Sequence, residues 1–145
     1  MNELITVRRY RTADEDAVID LWARAAKGAH PFVEGEGEGT RETKMRAVYL
    51  VEADNWVAES SRGVVGLLGL LGSEIGGLFV APEAQGQGVG RVLVEHAAVL
   101  RGPVTLEVYE RNASARRFYE RMGFVELRRR IDEDGHQLIT LERAP

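Results

Sequence analysis

A mixed α/β fold in a single domain, residues 1–145, is what this sequence predicts, and three observations predict it. Apolar residues recur at helical spacing in some stretches and at strand spacing in others. These stretches follow one another through short Gly, Pro and Ser connectors, with no repeat and no internal linker. A chain of 145 residues, 44% hydrophobic and 29% charged, is also long enough to bury one core without staples.

The first strand is read at residues 4–10. Ala17, Val18, Leu21, Trp22 and Ala25 then recur at helical spacing, which predicts a helix over 14–27. Thr12 or Asp14 is placed to cap it, acids fill its first turn, and Gly28 is expected to stop it. Residues 28–40 carry four Gly and read as loop; a second helix is expected over 41–50. The apolar runs 55–59 and 64–71, joined by Ser60-Ser61-Arg62-Gly63, predict an antiparallel hairpin. A short strand over 75–80 ends at Ala81-Pro82. Val89, Val92, Leu93, His96, Ala97 and Leu100 form the stripe of a helix that Gly102-Pro103 terminates. A strand over 104–109, a helix over 112–122 closed by Gly123, and strands over 124–131 and 137–141 around a turn at 132–135 complete the order.

Composition narrows the function. There is no cysteine, so disulfides, thiolate metal sites and a Cys-linked acyl-enzyme are excluded. A net charge of −4 does not suit a general binder of nucleic acid. The N-terminus lacks the pattern of a signal peptide and no run of about 18 apolar residues appears, so a cytoplasmic protein without membrane or nucleic-acid partners is expected. No residue cluster suggests a metal.

Gln85-Gly86-Gln87-Gly88-Val89-Gly90-Arg91 lies between a strand and a striped helix. Glycines without a Cβ admit a bulky anion to the backbone. The N–H groups at a helix start, with the helix dipole, then favour a phosphate. Arg91 adds a fixed positive charge. Two common phosphate loops do not fit. Gly90-Arg91-Val92 replaces the Gly-Lys-Ser/Thr of a nucleotide P-loop, and the third glycine of a dinucleotide fingerprint is missing. The alternative for the run on its own is a flexible turn.

Residues 78–93, with Gln85, Gly88 and Gly90 at the places of a Gln/Arg-x-x-Gly-x-Gly/Ala core, resemble the acetyl-CoA motif of the GNAT superfamily of N-acetyltransferases. Asn112-Ala113-Ser114-Ala115-Arg116-Arg117-Phe118-Tyr119-Glu120-Arg121-Met122-Gly123-Phe124 resembles that family's second motif, at family spacing. The N-terminal part, with Leu21-Trp22 and Ala29-His30-Pro31-Phe32, is similar to the small bacterial YjaB-type branch. The resemblance covers nearly the whole chain. It implies a mostly antiparallel sheet flanked by helices on both faces, and direct transfer of an acetyl group from acetyl-CoA, as cosubstrate, to a primary amine in a ternary complex.

It further implies roles. Backbone groups of Leu78, Phe79 and Val80 would hold the pantetheine arm and supply a donor to the carbonyl oxygen, with the strand splaying there; the same residues also read as core strand. Gln85, Gly86, Gln87, Gly88, Val89, Gly90 and Arg91 would hold the pyrophosphate. Asn112 would touch the cofactor arm or, equally, cap a helix. Tyr119 would protonate the departing thiolate, against the alternative of an aromatic packed on the sheet. Glu74 is the candidate base, or a solvated turn residue, and His30 the second candidate base. Trp22, His30 and Phe32 would line the acceptor side, where Glu34, Glu36 and Glu38 could draw a cationic amine or lie solvated in a loop. The acceptor is a small-molecule amine or the amine of a protein or peptide, and the chain a monomer or homodimer. A non-catalytic acyl-CoA sensor is the second reading; it would need neither Tyr119 nor a base. Arg128-Arg129-Arg130 falls in a strand near a sheet edge, where charge blocks aggregation.

Overall fold

A computed structural model describes residues 4–29 and 39–144 of the chain. Seven strands form one sheet in the order β1-β2-β3-β4-β5-β7-β6. They are β1 Thr6–Arg9, β2 Asp54–Ser60, β3 Gly63–Leu71, β4 Glu74–Val80, β5 Val104–Tyr109, β6 Val125–Ile131 and β7 Gln137–Arg143. All neighbours pair antiparallel except β4 with β5, which run parallel.

The helices follow the apolar stripes. α1 spans Glu15–Ala29 and buries Val18, Leu21 and Trp22. It runs through Gly28 instead of stopping there, since one glycine in a last turn costs only about 1 kcal/mol. Neither Thr12 nor Asp14 is its cap. Both lie in a 3₁₀ turn, Thr12–Asp14, and the Asp14 carboxylate accepts from the Arg11 backbone N–H and from the Arg8 guanidinium. That pairing holds the Asp14 carboxyl below the usual carboxylate range. The expected second helix is a composite: α2 Gly39–Lys44, a π-helical turn Met45–Tyr49, and α3 Leu50–Glu52. The widened turn is not legible as spacing, because a π turn has no apolar period of its own over five residues. α4 spans Val89–Arg101 and α5 spans Ala113–Arg121.

β3 reads Gly-Val-Val-Gly-Leu-Leu-Gly-Leu-Leu and is buried along most of its length, as a strand covered on both faces requires. Its glycines show what covers each face. A Cβ on Gly66 would lie 2.8 Å from Val89 Cγ1 and 2.9 Å from Leu93 Cδ1, so α4 rests directly on the β3 backbone. A Cβ on Gly69, three residues on and therefore on the opposite face, would lie 2.9 Å from Asn55 Oδ1. Trp22 of α1 and the 39–52 helical segment cover that second face. α5 stands beside α4 on the first, where Phe118 meets Gly90.

β6 is an edge strand exposed along its whole length, as its arginines led us to expect. Arg129 pairs with Glu126 and Glu110, and Arg130 pairs with Glu107, so these two charges are used within the sheet.

Candidate active site

β4 and β5 pair only at Glu74 with Thr105 and at Ile75 with Leu106. Beyond Ile75 the register of β4 changes. Gly69 faces Gly77 but Leu70 faces Ile75, which leaves Gly76 as an extra residue. Such a bulge bends a strand and ends pairing. From Gly77 to Val80, β4 is paired to β3 on one side and has no strand partner on the other. Leu78, Phe79 and Val80 therefore border a wedge between two parallel strands that open toward their carboxyl ends. The expected splaying is present.

The glycine run closes the end of this wedge. After Val80 the chain makes a 3₁₀ turn, Pro82–Ala84, and enters α4 through Gly86 (φ 82°) and Gly88 (φ 87°), both left-handed. Nothing lies within 4 Å of where their β-carbons would be, so an anion can approach this backbone. Gln85, Gly86, Gln87 and Gly88 are exposed. Gln85 Nε2 donates to the Val80 carbonyl at 3.5 Å, and Gln87 Nε2 donates to the Glu83 carbonyl at 3.4 Å. Glu83 in turn pairs at 2.6 Å with Arg24 of α1.

α4 starts without a cap. Gly88 at the N-cap offers no side-chain acceptor, the first backbone bond runs from the Val92 N–H to the Gly88 carbonyl, and the first turn holds no acid. The N–H groups of Val89, Gly90 and Arg91 are thus the unpaired donors of a helix start. Arg91, 61% exposed, adds a positive charge at the positive end of the dipole and pairs among the described residues with Glu95 at 3.5 Å. A first turn like this is electrostatically incomplete without an anion. The contrast is α5, whose start is closed by Asn112 Oδ1 accepting from the Ala115 N–H at 3.2 Å. Asn112 takes the capping role.

Two expectations are refined here. Val89 is a core side chain, so only its backbone belongs to the cradle. Gly90 is not an open approach either: a Cβ there would lie 3.1 Å from Phe118 Cζ. Its lack of a side chain serves helix-to-helix contact, and that contact joins the two motifs.

Tyr119 is 9% exposed and packs edge-on between Phe118 (centroids 5.2 Å) and Phe124 (5.3 Å). Burial pushes its phenol far above the ordinary tyrosine value, so it keeps its proton across the neutral range.

On the opposite face lies a cavity of about 710 Å³. Its floor is sheet backbone bared by Gly69, Gly76 and Gly77, and its walls include Trp22, Met45, Tyr49, Phe79 and Tyr109. Arg41, Lys44 and Glu133 contribute charge. Phe79 and Tyr109 belong to the splayed strands, so the cavity reaches the wedge. Asn55, 8% exposed, ties the π-helical wall to the sheet: its Nδ2 donates to the carbonyls of Tyr49 (3.1 Å), Leu50 (3.3 Å) and Ala53 (3.1 Å). Sequence reading brings Trp22 to this cavity but misses Lys44, Tyr49, Asn55, Tyr109 and Glu133, none of which stands in a recognisable motif. His30 and Phe32, with Glu34, Glu36 and Glu38, lie outside the described residues. Glu74 is not among the residues that line the cavity, although its cross-strand partner Leu71 is. Glu74 itself is exposed at the far, still-paired end of β4, four residues and roughly 13 Å along the strand from Leu78. The bulge and the splay after it put the opening at the other end of β4, and spacing alone does not tell which end opens.

A wedge between parallel strands, an uncapped helix start at its end and a cavity leading in from the other face define an acyltransferase. Comparison with known proteins agrees. The family model described as "Acetyltransferase (GNAT) domain" matches residues 52–126. The chain belongs to this family and is an N-acetyltransferase. It is 37% identical over 134 residues, 91% of this chain and 90% of the relative, to "Peptidyl-lysine N-acetyltransferase YjaB" of Escherichia coli (strain K12). The solution structure of apo-form YjaB from Escherichia coli superposes with a TM-score of 0.85 at 34% identity, covering 96% of this chain and 97% of that one. The structure of yncA from Salmonella typhimurium with its cofactor acetyl-CoA has a TM-score of 0.71 over 97% of this chain and 93% of its own; at 18% identity it shares the fold.

Proposed function

We propose that the chain transfers an acetyl group from acetyl-CoA directly to the side-chain amine of a lysine in a protein or peptide. The observation that carries the reading is the uncapped start of α4 at the end of the β4–β5 wedge. It offers free backbone donors, positive charge and open glycine backbone beside an unpaired strand edge. These features fit a long cosubstrate with a pyrophosphate at one end and an amide-bearing arm along the strand. The peptidyl-lysine acceptor is supported by the name of the 37% identical relative and by an aromatic-walled cavity suited to an aliphatic stem.

Each group then has a task. The backbone of Leu78, Phe79 and Val80 pairs with the arm as an added strand would, and one of its N–H groups polarises the acyl carbonyl. The N–H groups of Val89, Gly90 and Arg91, with Gly86, Gly88 and the Arg91 guanidinium, hold the pyrophosphate; Gln85 and Gln87 brace that loop. When bound, acetyl-CoA supplies an acetyl thioester. The acceptor amine enters from the Trp22 side of the cavity as the neutral amine, and water takes the proton that it sheds as its N–C bond forms. Tyr119 gives its proton to the sulfur as the C–S bond breaks. The absence of cysteine excludes a Cys-linked acyl-enzyme and fits transfer with both substrates bound.

The test is acetylation of lysine peptides followed by mass spectrometry, with initial rates measured over a grid of both substrates. One added acetyl group on lysine and intersecting reciprocal plots are expected. Parallel plots would overturn direct transfer. Acetyl-CoA binding without any acetylated peptide would overturn the lysine reading.

A further inference from the structure

The cavity beside the wedge carries charges of opposite sign at opposite ends. Lys44 lies over the Tyr49 ring, 5.5 Å from its centroid. Asn55 pins the Tyr49 carbonyl to β2, so this pair stands at the β2 end of the cavity. Glu133 stands at the other end. It belongs to the β6–β7 turn, which is braced by the Asp132 carboxylate accepting from the N–H groups of Asp134 (3.0 Å) and His136 (2.8 Å). β7 pairs Leu138 with Tyr109, which places the turn at the mouth of the wedge. From β2 to β4 the sheet crosses two strand spacings, roughly 10 Å, and the wedge adds to this before β5 is reached. Neither Lys44 nor Glu133 forms an ion pair among the described residues, although the sheet around them is rich in paired charges. Two unpaired charges of opposite sign on the wall of one aromatic-walled cavity are a recognition pattern, since each is left for a group on the acceptor.

We infer that this site selects lysines that have an acidic residue close by in the chain, with Glu133 at the mouth of the wedge drawing in the lysine ammonium, which gives a proton to water before it reacts, and Lys44 receiving the neighbouring carboxylate at the β2 end. The inference rests on the peptidyl-lysine reading above. The spacing suits such a segment. An extended peptide advances about 3.5 Å per residue, so an Asp or Glu one or two positions from the lysine can reach Lys44 while the lysine stem follows the aromatic wall to the wedge. Tyr49, 42% exposed, gives the Lys44 chain a surface to lie on and keeps its ammonium at the opening.

The test compares kcat/KM for three peptides with one lysine each, flanked at both neighbouring positions by Asp, by Ala or by Arg. Wild type is expected to prefer Asp over Ala by roughly threefold to tenfold, and Ala over Arg, with the preference shrinking as salt is raised. Lys44→Glu is expected to invert the order, and Lys44→Met to flatten it. Glu133→Gln is expected to raise KM for all three peptides and leave their order unchanged. Equal kcat/KM for the three peptides in wild type, or an unchanged order in Lys44→Glu, would overturn the inference while leaving lysine acetylation standing. Failure to acetylate any of the peptides while acetyl-CoA binds would overturn the lysine reading and this inference with it.

Discussion

Phe118 Cζ sits 3.1 Å from where a β-carbon on Gly90 would be, so the ring of α5 occupies the space that any other residue would fill at the start of α4. The helix that carries Tyr119 is thereby set against the helix start that carries the free N–H groups. Gly90→Val is expected to push Phe118, and Tyr119 beside it, away from that start. KM for acetyl-CoA should rise and kcat should fall, each by roughly tenfold, because small displacements of reacting groups are costly. Gly90→Ala, which the ring can accommodate with a slight shift, should show a much weaker effect. Steady-state kinetics on the folded variants decides the matter; equal kinetics for Gly90→Val and wild type would dissociate the two motifs.

Tyr119→Phe removes a hydroxyl from a ring held by Phe118 and Phe124 and keeps the ring. Turnover is expected to fall about tenfold or more with little change in melting temperature. Because burial raises the phenol, wild-type activity should show no loss from tyrosine ionisation up to about pH 10. Undiminished turnover in the variant would assign Tyr119 to packing alone.

Gly66→Ala tests the seating of α4. The added methyl meets Val89, Leu93 and Ala58 at 2.8, 2.9 and 3.2 Å, and all three are buried. Overpacking of this kind costs about 1–3 kcal/mol, and chemical denaturation should read that loss. Acetyl-CoA binding should weaken too, since lifting α4 off β3 moves the helix start.

A pH dependence follows from His96 on α4. Its ring packs edge-on against Trp56, centroids 4.4 Å apart, with Nε2 buried and unpartnered. Burial lowers its proton affinity below the ordinary histidine value; Asp54 opposes this in part, and the Arg9 guanidinium over Trp56 makes a smaller contribution in the same direction as burial. The unfolded chain therefore binds the proton more readily than the native one. Stability is full above the unfolded value of about 6.5 and is lost as pH falls from there through the lower folded value. Denaturation curves between pH 7 and 5 should show this slope in wild type and a shallower one in His96→Leu.

The order of elements was legible because each strand and helix carries its own period. β3, buried on both faces, reads as an unbroken apolar run, and α4 as a stripe from Val89 to Leu100. The residues proposed to hold the cofactor were legible as candidates because they are contiguous: Gln85 to Arg91 in one stretch, Asn112 to Phe124 in another. The acceptor side was not. The cavity proposed for it is assembled from Trp22, Lys44, Tyr49, Phe79, Tyr109 and Glu133, which come from five separate elements of the chain and share no spacing. Glu74 fell outside the cavity lining for a related reason. A bulge at Gly76 depends on pairing between strands, and neither the bulge nor the end of β4 that opens can be read along one strand. Gly90 was a different case, a motif residue whose missing side chain makes room for Phe118 while its N–H stays at the helix start.

The π-helical wall has a consequence for how such an enzyme can change. The family match spans residues 52–126 and begins where the 39–52 segment ends, so the segment that walls the cavity is separate in sequence from the glycine run and from residues 112–124. The segment is anchored to the sheet by the Asn55 amide, which holds three carbonyls, and to α1 by Arg46, which pairs with Glu15 and Asp16. A substitution or length change within 39–52 can therefore redraw one substrate's berth while the other's stays as it was. The architecture resembles a tool holder with an exchangeable bit, and retargeting by transplanting this segment between relatives, with Asn55 kept, is the engineering route that it opens.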